Sequence, residues 1–94
     1  MSTIQSVAIV TGASRGIGAA VAKRLATDGF SVVVNFSHSE KAALHVVEDI
    51  KRTGGKAVAI KADVSNAADV TRLFDLTAST FGSPDVLVNA ALVS

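Results

Sequence analysis

TGASRGIG, Thr11 to Gly18, sits between an apolar run and an alanine-rich run and carries glycines at positions 12, 16 and 18. A strand that turns straight into a helix leaves unpaired N–H groups and the positive end of the helix dipole facing the turn, which together make an anion site. Gly12 then permits the tight turn, Gly16 removes a Cβ where a pyrophosphate must come close, and Gly18 lets the helix lie tightly on the sheet. The spacing is GxxxGxG, not GxGxxG. Glycine triplets also occur in turns that hold no ligand, so the meaning of this one depends on its surroundings.

Outward from the loop, one unit repeats. Ser6–Thr11, Phe30–Asn35, Lys56–Ala62 and Asp85–Asn89 are short runs rich in valine and isoleucine, the pattern of strands buried on both faces. Between them the period becomes helical: Ile17, Val21 and Leu25; Ala43, Val46, Val47 and Ile50; Val70, Leu73, Phe74, Thr77 and Phe81. Each helical stretch stops at glycine, at Gly29, at Gly54 with Gly55, and at Gly82 just before the only proline, Pro84. The expectation is an α/β chain, βαβαβαβ, with a parallel sheet and three helices on right-handed crossovers. If strand four returns to the far side of strand one, the order is 3-2-1-4, and the reversal opens a crevice at the carboxyl ends of strands one and four, where the glycine loop lies. Helices one and two then share one face. Helix three covers only part of the other.

Composition narrows the functional classes. With 49% hydrophobic and 18% charged residues the 94-residue chain reads as one packed unit or part of one, residues 1–94, too short to hold a cofactor domain and a separate substrate domain. A net charge of +1 offers no field for nucleic acid or an anionic membrane. Disulfides are excluded by the lack of cysteine, and the two histidines do not cluster with acids at metal-ligand spacing. MSTIQS lacks the pattern of a secretory signal and no apolar run approaches membrane-spanning length, so a cytoplasmic location is expected.

A glycine loop at a strand-to-helix junction in the first βα unit, with Asp63 ending strand three, points to a dinucleotide. The choice of dinucleotide is written after strand two. An NAD site needs a carboxylate there to hold the ribose hydroxyls, and that carboxylate repels a 2′-phosphate. This chain has Phe36, flanked by Asn35 and Ser37. Arg15 points the same way, because a cation at the start of a helix opposes the dipole unless an anion is near; its alternative is a solvated surface arginine. His38 and Ser39 lie in the loop after Phe36, where they either touch the phosphate or face water. NADP is expected over NAD. His45, on the outer side of helix two, has no role in this reading.

VTGASRGIG, NFSHSEKAA after strand two, GGKAVAIKADVS around strand three and DVLVN in strand four resemble the short-chain dehydrogenase/reductase family, along essentially the whole chain. The branch resembled is the bacterial 3-oxoacyl-carrier-protein reductase or glucose dehydrogenase type. The resemblance implies a Rossmann fold of which this chain is the N-terminal part, and an oxidoreductase moving a hydride between nicotinamide and an alcohol or carbonyl. It implies that the backbone of Ser14 to Gly18 holds the pyrophosphate with Ile17 beside it, that Asp63 accepts from the adenine amino group, that the Val64 backbone contacts the ring, and that Asn89 sits near the inner ribose. Two of these residues have a plainer alternative. Asp63 is also a fitting turn residue ahead of a helix capped by Ser65 or Asn66, and Asn89 a strand-end residue that satisfies backbone groups.

The end of the chain departs from the family, which reads asparagine, asparagine, alanine, glycine where this sequence has Asn89, Ala90, Ala91 and Leu92. Leu92 at the glycine position puts a bulky side chain near the nicotinamide half. The family's catalytic asparagine, serine, tyrosine and lysine all fall beyond Ser94, so no catalytic residue is assigned and these 94 residues alone are expected not to turn over. The alternative is a non-catalytic nucleotide-binding module that self-associates through its exposed fourth strand.

Overall fold

The computed structural model describes residues 6–90. Ala91 and Leu92, and the expectation attached to them, lie outside the described residues. Four parallel strands, β1 (Val7–Thr11), β2 (Ser31–Phe36), β3 (Lys56–Lys61) and β4 (Val86–Asn89), alternate with three helices, α1 (Gly16–Thr27), α2 (Glu40–Arg52) and α3 (Ala67–Thr80). The sheet order is β3-β2-β1-β4, so the chain reverses direction across the sheet between β1 and β4. Register runs straight across the sheet: Ile9 pairs with Val33 and with Leu87, and Val33 with Val58.

The two faces of the sheet are covered unequally. Val10, Val32, Val34, Phe36 and Ala57 pack under Ala19 and Ala22 of α1 and Ala43, Val46, Val47 and Ile50 of α2. On the opposite face Ile9, Val33, Ile60 and Ala62 meet Leu73 of α3, with Val58, Phe74 and Phe81 at the margin. Fully burying such aliphatic side chains stabilises by about 1.5–3 kcal/mol each. Leu87 of β4 shares the Ile9 side of the sheet and is 53% exposed.

Two expectations change here. Only β1 and β2 are buried along their whole length; β3 and β4 alternate between covered and open positions because they are the edges of the sheet. On α1 the stripe Ile17, Val21 and Leu25 is not the packing face. Ile17 is 62% exposed, Val21 and Leu25 are half-buried, and the buried residues are Gly18, Ala19 and Ala22. Small side chains let this helix lie too close to β1 for a row of large ones. The α2 stripe is buried as expected, from Ala43 to Ile50. Gly29, Gly54 and Gly82 follow the ends of α1, α2 and α3. None of the helices among the described residues is long and apolar enough to cross a membrane.

Candidate functional site

The glycine loop links β1 to α1 at the carboxyl end of the sheet. Gly12 and Gly16 have φ of 61° and 63°, a left-handed backbone that costs other residues energy. A Cβ at Gly16 would meet nothing within 4 Å, so the space in front of the turn is open. Gly18 is set by contact instead: a Cβ there would collide with the Gly12 carbonyl oxygen and lie 2.9 Å from Ala13 Cα. The first helical turn is thereby pressed onto the end of β1, its N–H groups facing the loop. Ala13 N–H donates to the Asn35 carbonyl at 2.9 Å, which ties the loop to β2 as well.

Arg15 occupies the N-cap position of α1 in an extended conformation and makes no capping bond with its side chain. Its Nη2 reaches across to the next loop and donates to Ser39 Oγ at 2.6 Å. The arginine is exposed but not simply solvated. It stands over the end of β2, where Phe36 turns its ring into the core at 4% exposure. Asn35, buried at 2%, donates from Nδ2 to the carbonyls of Ile60 and Ala62, each at 3.2 Å, and so locks the ends of β2 and β3 together.

These residues surround a cavity of about 210 Å³ lined by Gly12, Ser14, Arg15, Asn35, Phe36, Ser37, His38, Ser39, Ala62, Asp63 and Val64. Eight of the sequence-predicted site residues come together there: Gly12, Ser14, Arg15, Ser37, His38, Ser39, Asp63 and Val64. A wider cleft of about 930 Å³ between α1 and α2 adjoins it through Ser14, Arg15, His38 and Ser39, and is lined further by Lys23, Lys41 and His45. Gly16, Ile17 and Gly18 line neither space; they form and support the turn.

Asp63 Oδ1 accepts from Ser65 N–H at 2.9 Å and from Ser65 Oγ at 2.7 Å. The Ser65 hydroxyl bond, then the Ser65 backbone bond, hold its carboxyl below the ordinary 3.8, and the nearby His38 adds a smaller pull in the same direction. Asp63 is thus a turn residue ahead of α3, and Asn66, not Ser65, caps that helix through Asp69 N–H at 3.1 Å. The turn bonds engage one carboxylate oxygen and leave the other without a bond among the described residues.

Asn89 lies at the other end of the crevice. Its Oδ1 accepts from Thr11 Oγ1 at 2.9 Å, and the same hydroxyl lies 3.3 Å from the Val88 carbonyl. Thr11 and Asn35 are side chains to which motif reading gives no part, although both stand in the quoted stretches. The signal for each is a polar residue ending an apolar strand. Between Thr11 and Asn89 begins a small, mostly apolar cavity of about 170 Å³, continued by Val64, Val70, Leu73, Phe74 and Leu87. No group of three or more His, Cys, Asp or Glu side chains that could hold a metal occurs among the described residues.

Residues 6–94 match the pattern of a family described as short chain dehydrogenase. An uncharacterized oxidoreductase of Methylorubrum extorquens is 55% identical over 83 residues, which are 88% of this chain and 34% of that protein. A dehydrogenase/reductase from Sinorhizobium meliloti superposes with a TM-score of 0.89 at 43% identity, over 95% of this chain and 35% of its own. A short chain dehydrogenase from Burkholderia cenocepacia, solved in complex with NADP, gives a TM-score of 0.85 at 45% identity, over 94% of this chain and 36% of its own. The chain spans about a third of the length of the relatives it matches. Its glycine loop, its strand order and these likenesses agree: the chain belongs to the short-chain dehydrogenase family of oxidoreductases.

Proposed function

We propose that residues 1–94 are the N-terminal part of a single Rossmann domain and bind NADP(H) for an oxidoreductase acting on an alcohol or carbonyl substrate. The observation that carries the cofactor choice is the Arg15 guanidinium held 2.6 Å from Ser39 Oγ, over a strand end that carries no acid. A carboxylate there would repel a 2′-phosphate; a guanidinium beside two serines and a histidine attracts one. The NADP bound by the Burkholderia cenocepacia relative supports the same choice.

In this reading the N–H groups of Ser14 to Gly18 hold the pyrophosphate, with Ile17 beside it. Arg15, Ser37, His38 and Ser39 face the 2′-phosphate. Asp63 accepts from the adenine amino group through the oxygen that Ser65 leaves unused, and Val64 N–H meets the ring. Thr11, by holding Asn89 Oδ1, turns Asn89 Nδ2 toward the inner ribose. The nicotinamide, when bound, supplies or accepts the hydride. The 94 residues contain no tyrosine, so the proton donor that the family places beside the carbonyl has no counterpart in them, and binding without turnover is expected of this polypeptide.

Calorimetric titration with NADP and NAD tests the assignment. NADP should bind more tightly, and Arg15→Ala should reduce that preference by about 1–2 kcal/mol. Equal affinity for the two dinucleotides, or an unchanged preference in Arg15→Ala, removes the reading.

Leu87 favours a second reading, a non-catalytic nucleotide-binding module that self-associates. It is 53% exposed on β4, an edge strand of the described sheet, and strand addition there would cover both the side chain and the edge. Sedimentation of the wild-type chain and of Leu87→Lys separates the readings. A concentration-dependent dimer that the lysine abolishes favours association through β4, and a monomer in both cases excludes it.

A further inference from the structure

The loop from Ala62 to Asn66 is gripped from behind by the helix that follows it. Asn66 is the N-cap of α3, and Asp69 is the third residue inside the helix. An acid at that position ordinarily turns back to bond the N-cap N–H. Here the Asn66 N–H is already taken by the Asp63 carbonyl at 2.9 Å. Asp69 Oδ2 instead reaches three residues further and accepts from the Asp63 N–H at 2.8 Å. One turn along the same helix face, Arg72 Nη2 donates to the Lys61 carbonyl at 2.6 Å and lies 3.9 Å from Asp69 Oδ1. The backbone on both sides of Ala62 is therefore held by an adjacent pair of side chains on α3.

The Ser65 bonds to Asp63 Oδ1 orient the carboxylate within its own loop, but they do not place that loop against the sheet. The Asp69 bond does, because it joins the loop backbone to a helix whose Leu73 and Thr77 are fully buried. Resting on the reading that Asp63 faces the adenine amino group, we infer that Asp69 is a positioning residue for purine recognition. It touches no ligand; its carboxylate fixes the Asp63 and Val64 backbone so that an acceptor and a donor meet the purine edge together. Loss of the bond lets the loop turn, and the fault appears in the choice of base and not in the choice of phosphate, whose groups lie on other loops.

The test compares adenosine 2′,5′-bisphosphate with inosine 2′,5′-bisphosphate, in which a carbonyl replaces the amino group, and with adenosine 5′-phosphate, which lacks the 2′-phosphate. Wild type should prefer the adenine compound over the inosine compound. Asp69→Ala should lower that preference about fivefold and leave the preference for a 2′-phosphate unchanged, while Asp69→Asn, whose amide oxygen still accepts, should keep most of it. Equal weakening of all three ligands in Asp69→Ala overturns the inference, since a purely structural role predicts it. Asp63→Ala is the reference variant. If it leaves the base preference intact, the underlying placement of Asp63 fails; if it abolishes the preference while Asp69→Ala does not, only the positioning role fails. Should Asp69→Ala not fold, amide exchange in the wild-type chain decides: slow exchange at Asp63 supports the bond, and exchange at the rate of an open loop overturns it.

Discussion

The sheet has one finished face and one open one. Among the described residues, thirteen buried side chains form the cluster that the sheet makes with α1 and α2, against five in the cluster it makes with α3. On the first face small residues bring α1 within contact distance of β1, and the valines of α2 fill what remains. On the second, α3 covers Ile9, Val33 and Ile60 but leaves Leu87 of β4 in water. The glycine loop is anchored on the finished face, so its turn rests on the more fully packed side of the described sheet. The Asn89 end, where ligand would pass toward β4, rests on the half with less packing behind it.

Paired substitutions should expose this asymmetry. Ile50→Ala, in the tight face, is expected to cost about 3 kcal/mol in urea unfolding, while Leu87→Ala should change stability by less than about 0.5 kcal/mol. Similar costs at the two positions would mean that Leu87 is covered in solution. Gly18→Ala pushes a methyl group against the Gly12 carbonyl, and a loss of about 1–3 kcal/mol is expected together with a marked drop in NADP affinity. Full affinity in that variant would show that the loop does not depend on α1 lying so close to β1.

The smallest effect expected is on pH. Because Ser65 holds the Asp63 carboxyl below 3.8 in the folded chain, the contribution of this turn is complete above the unfolded carboxylate range and is lost only as pH falls through the depressed folded value. Binding of adenosine 2′,5′-bisphosphate should keep its base preference down to about pH 5 and lose it in stronger acid. A base preference already lost near pH 6 would show that the Asp63 carboxylate does not set it.

Strand order, helix ends and the glycine loop were legible in the sequence because each is a local pattern: a change of period, a glycine stop, a turn at a fixed place in the repeat. The packing face of α1 was not, since Gly18, Ala19 and Ala22 carry no hydrophobic period and the Ile17 stripe does. Edge and centre strands share one composition, so the exposure of β3 and β4 followed only from their place in the sheet. Within the site, the quoted stretches contain Thr11 and Asn35 but do not reveal what these side chains bond to. Thr11 meets Asn89 across 78 positions, and Asn35 meets Ile60 across 25, distances that no local window spans.

Asn35 has an electrostatic consequence as well. The carboxyl end of a parallel sheet presents carbonyl oxygens, a negative rim that is a poor neighbour for a phosphorylated ligand. Only the amide nitrogen of Asn35 can face two of them, and by donating to Ile60 and Ala62 it neutralises part of that rim on the floor of the cavity. At this end of the sheet, then, Asn35 silences oxygens beside a glycine loop that presents N–H groups. Asn35→Asp would turn the same floor into a cluster of acceptors, closing the crevice to anions without obstructing it.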